Sequence, residues 1–460
     1  MSKRRKDQEI IQIDNRKLYK TLATIAVPIA IQGVISSTLG LIDNLMVGYL
    51  GEVELAAVGI AIQIYFIHWM ILYGFTSGTA TFMAQFYGTG DMKNIRKTIG
   101  FAVSVAAGIG IIFFVAGGVF TKEIIGLFSD NEEIVPLASQ YIKTALVTFL
   151  FLSISVPFES ALKATQQTKL PLYISIVVFG TNTFLNYVFI FGKFGAPALG
   201  VMGAALATSI ARGVEVFLII FVVFVRKNVI AGQIKEFFGW NKEFALRILK
   251  NAWPTTFNEA LWGLGQSMYV AAFARIGVTA YAAFQAASSI NSLFTYAAFS
   301  VGDATLILVG QKLGEGKLDY TFALAKRLLK IGTVIGIVAG LVLVVVSRPL
   351  VGLFALTALG KSYATKILMV YGLMMGLNLF NGINITGILR GGGDTKFAMF
   401  AESGCIWLVA VPLAFIGSLW LKLPIYLVVL MVKCEDLVKV FILTKRFISK
   451  KWLNNVIHGL

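Results

Sequence analysis

Charged residues are scarce in this sequence. Only 14% of its 460 residues are Asp, Glu, Lys or Arg, whereas 57% are hydrophobic. A soluble domain carries about 25% charged residues, so this deficit excludes an ordinary soluble protein and indicates a chain that lies mostly in a membrane. An ionisable side chain at membrane depth is costly by at least about 2 kcal/mol, and its default interpretation is therefore functional.

Cysteine and histidine are almost absent. Cys405 and Cys434 both lie in apolar runs and form no disulfide framework. His68 and His458 have no metal-ligand spacing with them. The sequence also lacks a Gly-x4-Gly-Lys-Ser/Thr motif, so we expect no ATP site. A membrane enzyme would need a convergent catalytic set, and we therefore expect no enzyme and no catalytic residue.

Apolar stretches dominate what is present. Stretches of about 20 residues, the length that a helix needs to cross a bilayer, recur twelve times. The predicted spans are 21–46, 54–80, 98–120, 134–158, 170–191, 199–225, 248–274, 278–307, 325–347, 362–387, 397–420 and 423–444. No cleavage site follows an apolar core near the N-terminus, so we expect the first stretch to remain as a span.

The basic residues predict the orientation. With the N-terminus in the cytoplasm, 30 of the 40 Lys and Arg fall on inner segments and eight on outer ones. The positive-inside rule then predicts a multi-pass protein of the cell membrane with both termini in the cytoplasm. Loop charges also account for the net charge of +17. We therefore expect contact with membrane lipid, no nucleic-acid partner and a monomer.

The sequence contains an internal repeat with a shift of 226 residues. The matched pairs include Pro28 with Pro254, Gly51 with Gly277, Gln85 with Gln311 and Gly88 with Gly314. Each half holds six spans, an even number, which predicts parallel repeats that form two six-helix bundles around a central cleft. The predicted organisation is a cytoplasmic tail (1–20), an N-lobe (21–225), a cytoplasmic connector (226–247), a C-lobe (248–447) and a cytoplasmic C-terminal tail (448–460).

Four stretches resemble the multidrug and toxic compound extrusion (MATE) transporters of the NorM and DinF type. They are IDNLMVGYLG (42–51), GTATFMAQFYG (78–88), VGQKLGEG (309–316) and LRGGGDTK (389–396). The resemblance implies an all-α protein of twelve transmembrane helices that exports cationic amphipathic small molecules, including antibiotics, by alternating access. The resemblance also implies that the inward movement of Na+ or H+ drives this export, so that the protein is an antiporter without a bound cofactor.

The resemblance also implies a cation site in the N-lobe. Asp43 matches the acid of the first helix, Asn182 and Asn186 match the pair that faces it, and Thr208 matches a hydroxyl ligand. Spacing of i, i+4 places the two Asn on one helix face. One carboxylate with amide and hydroxyl oxygens suits an alkali cation, so Asp43 is a candidate Na+ ligand, and its carboxyl group can equally bind a proton. Alternatively, the Asn pair only joins helices by hydrogen bonds.

A second site in the C-lobe is less well defined. Glu259 lies near the middle of the seventh span and resembles the C-lobe acid of several family branches, although a structural role stays open. Position 269, the repeat counterpart of Asp43, is Tyr269, so we expect coupling to be centred on the N-lobe. The candidate residues for a C-lobe ion or substrate site are Glu259, Tyr269, Gln285, Asn378 and Asn381.

Pro28 removes a backbone hydrogen bond from the first span and permits bending. The resemblance implies that this bending is part of the transport cycle, and a static kink is the alternative.

A related flippase for lipid-linked saccharides remains an alternative function. Its anionic headgroups would require basic residues in the cleft, where Arg212 is the clear candidate. Arg212 and Glu215, at i, i+3, are predicted to pair with each other.

Overall fold

The computed structural model describes residues 13–354 and 356–460, apart from the side chains of residues 297 and 298. Residues 1–12 of the predicted N-terminal tail lie outside this part. Every regular element in the described residues is helical, and none of them is a β-strand. Apolar membrane segments must satisfy their backbone hydrogen bonds internally, which a helix does. The predicted all-α class is confirmed.

The twelve predicted spans all fall on helices, which we number α1 to α12. Their bounds are Asn15–Gly48, Glu52–Thr89, Met92–Val119, the pair Ile134–Ala145 and Val147–Ala164, Lys169–Phe191, Val201–Val225, Lys242–Ala274, Val278–Gly314, Leu318–Gly352, Ala358–Leu389, Thr395–Trp420 and Ile425–Ile448. Ten of them are long and apolar enough to cross a membrane. The other two, α7 and α12, have sufficient length but carry more polar and charged residues.

The fourth span is interrupted and extended relative to its prediction. Helix α4 consists of two segments that meet at Leu146, and it continues to Ala164 rather than ending at residue 158. The prediction stopped there because Glu159 and Lys163 interrupt the apolar run. Both residues belong to the helix, where they lie at i, i+4 and form an ion pair.

The chain forms two compact units. The bounds of the first unit are Met1–Ala30, Ala84–Gly90 and Leu261–Leu460, and those of the second are Ile31–Met83 and Asp91–Ala260. Helix α1 therefore passes from the first unit to the second between Ala30 and Ile31. The division into an N-lobe and a C-lobe stays a prediction.

Glycines allow close helix crossings in the first unit. A Cβ atom on Gly88, in α2, would lie 2.0 Å from the carbonyl oxygen of Gln311 in α8. A Cβ atom on Gly314 would likewise lie 2.0 Å from the carbonyl oxygen of Gln85. A shift of 226 residues converts Gly88 into Gly314 and Gln85 into Gln311. Each of the two contacts is therefore the repeat counterpart of the other, and the crossing has the symmetry of the sequence repeat.

The predicted connector belongs to the second unit and packs on α3 there. It contains a short helix, Ile234–Phe237, whose Phe237 is buried. Glu236 forms an ion pair with Arg96 of α3 at 3.2 Å, and Gly100 of the same helix lies against the carbonyl group of Phe237. The connector therefore contributes to the packing of α3.

Candidate cation-binding site

The four residues predicted for the N-lobe site form one hydrogen-bonded chain in the second unit. Asn186 donates through Nδ2 to Oδ1 of Asp43 at 2.5 Å and to Oδ1 of Asn182 at 3.0 Å. Asn182 in turn donates through Nδ2 to Oγ1 of Thr208 at 3.3 Å. The structure therefore brings together side chains from α1, α5 and α6.

Helix geometry explains this alignment. Asn182 and Asn186 are one turn apart on the buried face of α5, where their relative exposures are 1% and 0%. Asp43 lies five residues before the end of α1, and Thr208 lies seven residues after the start of α6. At about 1.5 Å per residue, both lie within about 11 Å of the helix ends that the orientation rule places outside.

The site has a buried oxygen available for a cation. Both N–H groups of Asn186 are used, while its Oδ1 is buried and has no hydrogen-bond partner. An unpaired buried acceptor is unfavourable by about 1–3 kcal/mol, and a cation or a proton donor would relieve this penalty. The Asp43 carboxylate and the Thr208 hydroxyl group belong to the same hydrogen-bonded chain, and carboxylate, amide and hydroxyl oxygens are all hard donors of the type that suits an alkali cation. No cluster of three His, Cys, Asp or Glu occurs in the described residues.

Tyr141 of α4 is a further member of this site that the sequence did not reveal. Its side chain is buried and lies close enough to Thr208 and Asp43 to interact with both. Its ring also meets the ring of Tyr65 of α2 edge to face, with centroids 6.3 Å apart. A Tyr within an apolar span carries no local signal for such a role.

Arg212 forms the predicted pair with Glu215. Its Nη1 lies 2.6 Å from Oε2 of Glu215, and the Glu215 side chain is only 6% exposed. This prediction is confirmed. The guanidinium charge also acts on Asp43, so the pair and the cation site influence each other electrostatically.

The candidate residues of the C-lobe are less closely associated. Glu259 belongs to the second unit, where its Cγ lies beside Gly74 of α2. The other four belong to the first unit: Tyr269 packs on Phe273, Gln285 is exposed, Asn378 is half-buried and Asn381 is buried.

Asn381 has a partner that the sequence analysis did not single out. Its Nδ2 donates to the main-chain oxygen of Asp436 at 2.9 Å and to Oδ1 of Asp436 at 3.2 Å. Lys433 lies 3.5 Å from the other carboxylate oxygen. A carboxylate of α12 therefore contacts Asn381, one of the predicted C-lobe residues.

Pro28 lies inside α1, which continues as a helix on both sides of it. Its role in bending stays a prediction.

The sequence matches a known family along most of its length. A sequence model described as MatE matches residues 28–188 and again residues 254–416. The two matches begin 226 residues apart, at Pro28 and Pro254, and this confirms the internal repeat.

Two similar proteins have names that refer to drug resistance. The probable multidrug resistance protein YoeA of Bacillus subtilis (strain 168) is 26% identical over 417 residues, which cover 89% of each chain. The probable multidrug resistance protein NorM of Thermotoga maritima is 26% identical over 405 residues, which cover 87% of this chain and 86% of that protein.

Solved structures share the fold. An outward-facing multidrug resistance MATE family transporter has a TM-score of 0.86 at 18% identity, over 94% of this chain and 97% of its own. The bent form of the Vibrio cholerae MATE transporter VcmN has a TM-score of 0.83 at 18% identity, over 96% and 99% of the two chains. These are all-α membrane proteins of twelve helices. Because the MatE sequence model matches more than half of its residues, this chain belongs to the MATE family of multi-pass membrane transporters, which are not enzymes.

Proposed function

We propose that this chain is a multidrug efflux antiporter that exchanges inward Na+ or H+ for outward cationic amphipathic small molecules. It would work by alternating access in the cytoplasmic membrane, as a monomer with both termini in the cytoplasm. The observation that carries the proposal is the hydrogen-bonded chain of Asp43, Asn186, Asn182 and Thr208.

The geometry of Asp43 suits a coupling group. Asn186 donates to Oδ1 of the Asp43 carboxylate, and a hydrogen bond to an ionised group is roughly twice as strong as one between neutral groups. A cation or proton that neutralises the carboxylate would therefore weaken its tie to α5. Binding of the ion would in this way change how α1 is held. Antiport requires only that the cation and the substrate favour different arrangements of the protein.

Both coupling ions remain compatible with this site. Na+ would use the Asp43 carboxylate, the buried Oδ1 of Asn186 and the hydroxyl group of Thr208. A proton would need only the carboxyl group of Asp43. The sodium alternative therefore depends on neighbouring oxygens more strongly than the proton alternative does.

The pairing of Arg212 argues against a flippase for anionic lipid-linked saccharides. The guanidinium group is engaged by Glu215 at 2.6 Å, and the charges of Glu159 and Asp43 also act on it. A guanidinium group that is already paired with a carboxylate is poorly suited to bind an anionic headgroup.

Transport in proteoliposomes tests the proposal. Purified protein is reconstituted with ethidium, a fluorescent organic cation, and an inward gradient of either Na+ at equal pH or H+ without Na+ is imposed. We expect at least one of the two gradients to accelerate the movement of ethidium in the direction opposite to that of the ion. Dissipating that gradient with an ionophore should abolish the acceleration. A wild-type protein that responds to neither gradient would refute cation-coupled antiport.

A further inference from the structure

Within the second unit, side chains on one face of helix α1 bond to other helices at two points. Gln32 and Asp43 are eleven residues apart, about three turns, so they share a face and lie about 16 Å apart along the axis. Asp43 is tied to Asn186 of α5. Gln32 donates through Nε2 to both carboxylate oxygens of Glu159 in α4, at 3.2 and 3.3 Å. Each tie thus pairs a carboxylate with a side-chain amide.

Glu159 is mostly enclosed but not fully buried. Its side chain is 18% exposed, and Lys163 of the same helix lies 3.7 Å from Oε2. From α6, the charges of Glu215 and Arg212 also act on it. Glu159 lies five residues before the end of α4 at Ala164, the end that the orientation rule places inside. A proton from that side therefore has a short path to this carboxylate.

The surroundings of Glu159 select a proton over a metal cation. Gln32 directs an N–H group at both oxygens, and the Lys163 ammonium group lies next to one of them. Groups with positive partial or full charge repel Na+ at close range. A proton needs only one oxygen lone pair, and a protonated carboxyl group retains just part of its capacity to accept hydrogen bonds.

The tie between Gln32 and Glu159 lies beside Pro28. Gln32 follows Pro28 by one helical turn, and the chain passes from the first unit to the second between Ala30 and Ile31. Proline lacks the N–H group that would bond within the helix, so the backbone is weakest against bending here. The charge on Glu159 therefore acts where α1 bends most easily.

Arg212 connects this carboxylate to Asp43 electrostatically. It pairs with Glu215 at 2.6 Å, and the charges of both Glu159 and Asp43 act on it. Neutralisation of one carboxylate therefore changes the field that Arg212 exerts on the other. The second unit thus carries two ionisable ties of α1 that share one half-buried cation, Arg212.

We propose that Glu159 is a second proton-binding carboxylate of the transport cycle. With Glu159 ionised, Gln32 holds α1 against α4; proton binding weakens this tie and frees α1 to move about Pro28. Substrate binding would favour the tied arrangement and expel the proton. This inference rests on the proposed cation-coupled antiport and adds a proton site to it.

Proton release on substrate binding tests this role without transport. Ethidium is added to detergent-purified protein in weakly buffered solution, and a pH indicator measures the protons released per ethidium bound over a series of starting pH values. If Asp43 also exchanges a proton, Glu159→Gln should release about half as many protons as the wild type, since one of two linked sites is lost. If Na+ occupies Asp43 instead, Glu159→Gln should release none.

Two variants separate proton binding from a merely structural ion pair. Gln32→Leu keeps the carboxyl group but removes the tie, so it should lower proton release as Glu159→Gln does. Glu133→Gln makes the same substitution at an exposed residue before α4 and should match the wild type. Proton release by Glu159→Gln equal to that of the wild type would overturn the inference.

The outcomes also distinguish this inference from the proposed function. If ethidium efflux in wild-type proteoliposomes follows neither gradient, the proposed function fails. If efflux is coupled and Glu159→Gln releases as many protons as the wild type, only the role of Glu159 fails. If Glu159→Gln does not purify as a monodisperse protein, Gln32→Leu decides the question, because it leaves the Glu159–Lys163 pair in place.

Discussion

Asn186 donates its side-chain N–H group to Oδ1 of Asp43 over 2.5 Å, and this bond joins α5 to α1. Hydrogen bonds to an ionised group are short and roughly twice as strong as those between neutral groups. The same amide group also donates to Asn182, which extends the connection to Thr208 of α6. Any cation that neutralises Asp43 therefore alters the contact of three helices at once.

We expect Asp43→Asn to remove cation-driven efflux. The substitution keeps the size of the side chain but deletes its charge and its proton-binding group. Allosteric coupling typically amounts to about 1–3 kcal/mol, so the accelerating effect of the gradient should fall by about 5–150-fold. Efflux in proteoliposomes measures this effect. Asn44→Asp, which adds a carboxylate at the exposed neighbouring position, should not restore coupling in the Asp43→Asn protein. Undiminished gradient-driven efflux by Asp43→Asn would contradict the assignment.

Replacement of Asn186 should separate the two coupling ions. Asn186→Leu removes the buried Oδ1 that Na+ would use but leaves the Asp43 carboxyl group able to take a proton. A hydrogen-bonding group that acts on a charge contributes about 1.5–3 kcal/mol, so the Na+ concentration for half-maximal efflux should rise at least about tenfold. Proton-driven efflux should persist. Equal loss with both gradients would indicate that Asn186 serves the arrangement of the helices rather than the ion.

The sequence patterns predicted the parts of this molecule that depend on local order. Apolar length located all twelve spans, and the spacing of Asn182 and Asn186 placed both on one helix face. Contacts between distant segments carry no such signal. Tyr141 reaches Thr208 from another helix, and Gln32 meets Glu159 across 127 positions. The sequence also did not predict that Glu159 lies in the fourth helix, because the apolar run stops one residue before it. In the structure, backbone hydrogen bonding and the pairing of Glu159 with Lys163 continue the helix to Ala164.

The crossing of α2 and α8 should not tolerate a methyl group. In Gly88→Ala or Gly314→Ala, the new Cβ would lie 2.0 Å from a main-chain carbonyl oxygen, which cannot move aside as a flexible side chain can. Overpacking of this kind lowers the free energy of unfolding by about 1–3 kcal/mol. Thermal unfolding of the purified protein in detergent measures the effect as a lower Tm. The repeat symmetry predicts similar decreases for the two variants.

Gly108→Ala provides the matched control for this crossing. Gly108 lies within α3, and a Cβ atom added there would have no heavy atom within 4 Å other than those of its own helix. Alanine is favoured over glycine in a helix, so Tm should stay equal or rise slightly. If Gly88→Ala has the same Tm as Gly108→Ala, the close crossing is not a feature of the folded protein in solution.

The end of the chain should contribute to stability, although the sequence predicts only a cytoplasmic tail there. Trp452 is fully buried and donates through Nε1 to the carbonyl oxygen of Phe447 at 3.1 Å. Beyond it, the N–H group of Asn454 donates to the carbonyl oxygen of Gly392 at 3.2 Å, and that of Val456 donates to Oε1 of Gln85 at 2.8 Å. The final residues thus pack on the end of α2 within the first unit.

Trp452→Ala should therefore lower the free energy of unfolding by about 3–5 kcal/mol, the usual effect of truncating a buried aromatic side chain. Trp420→Ala is the matched control, because that residue is 81% exposed and its loss should change stability by less than about 0.5 kcal/mol. The Tm values of both variants in detergent measure the difference. Equal Tm values would mean that the last residues do not pack as described, since only a buried indole leaves a cavity when it is removed.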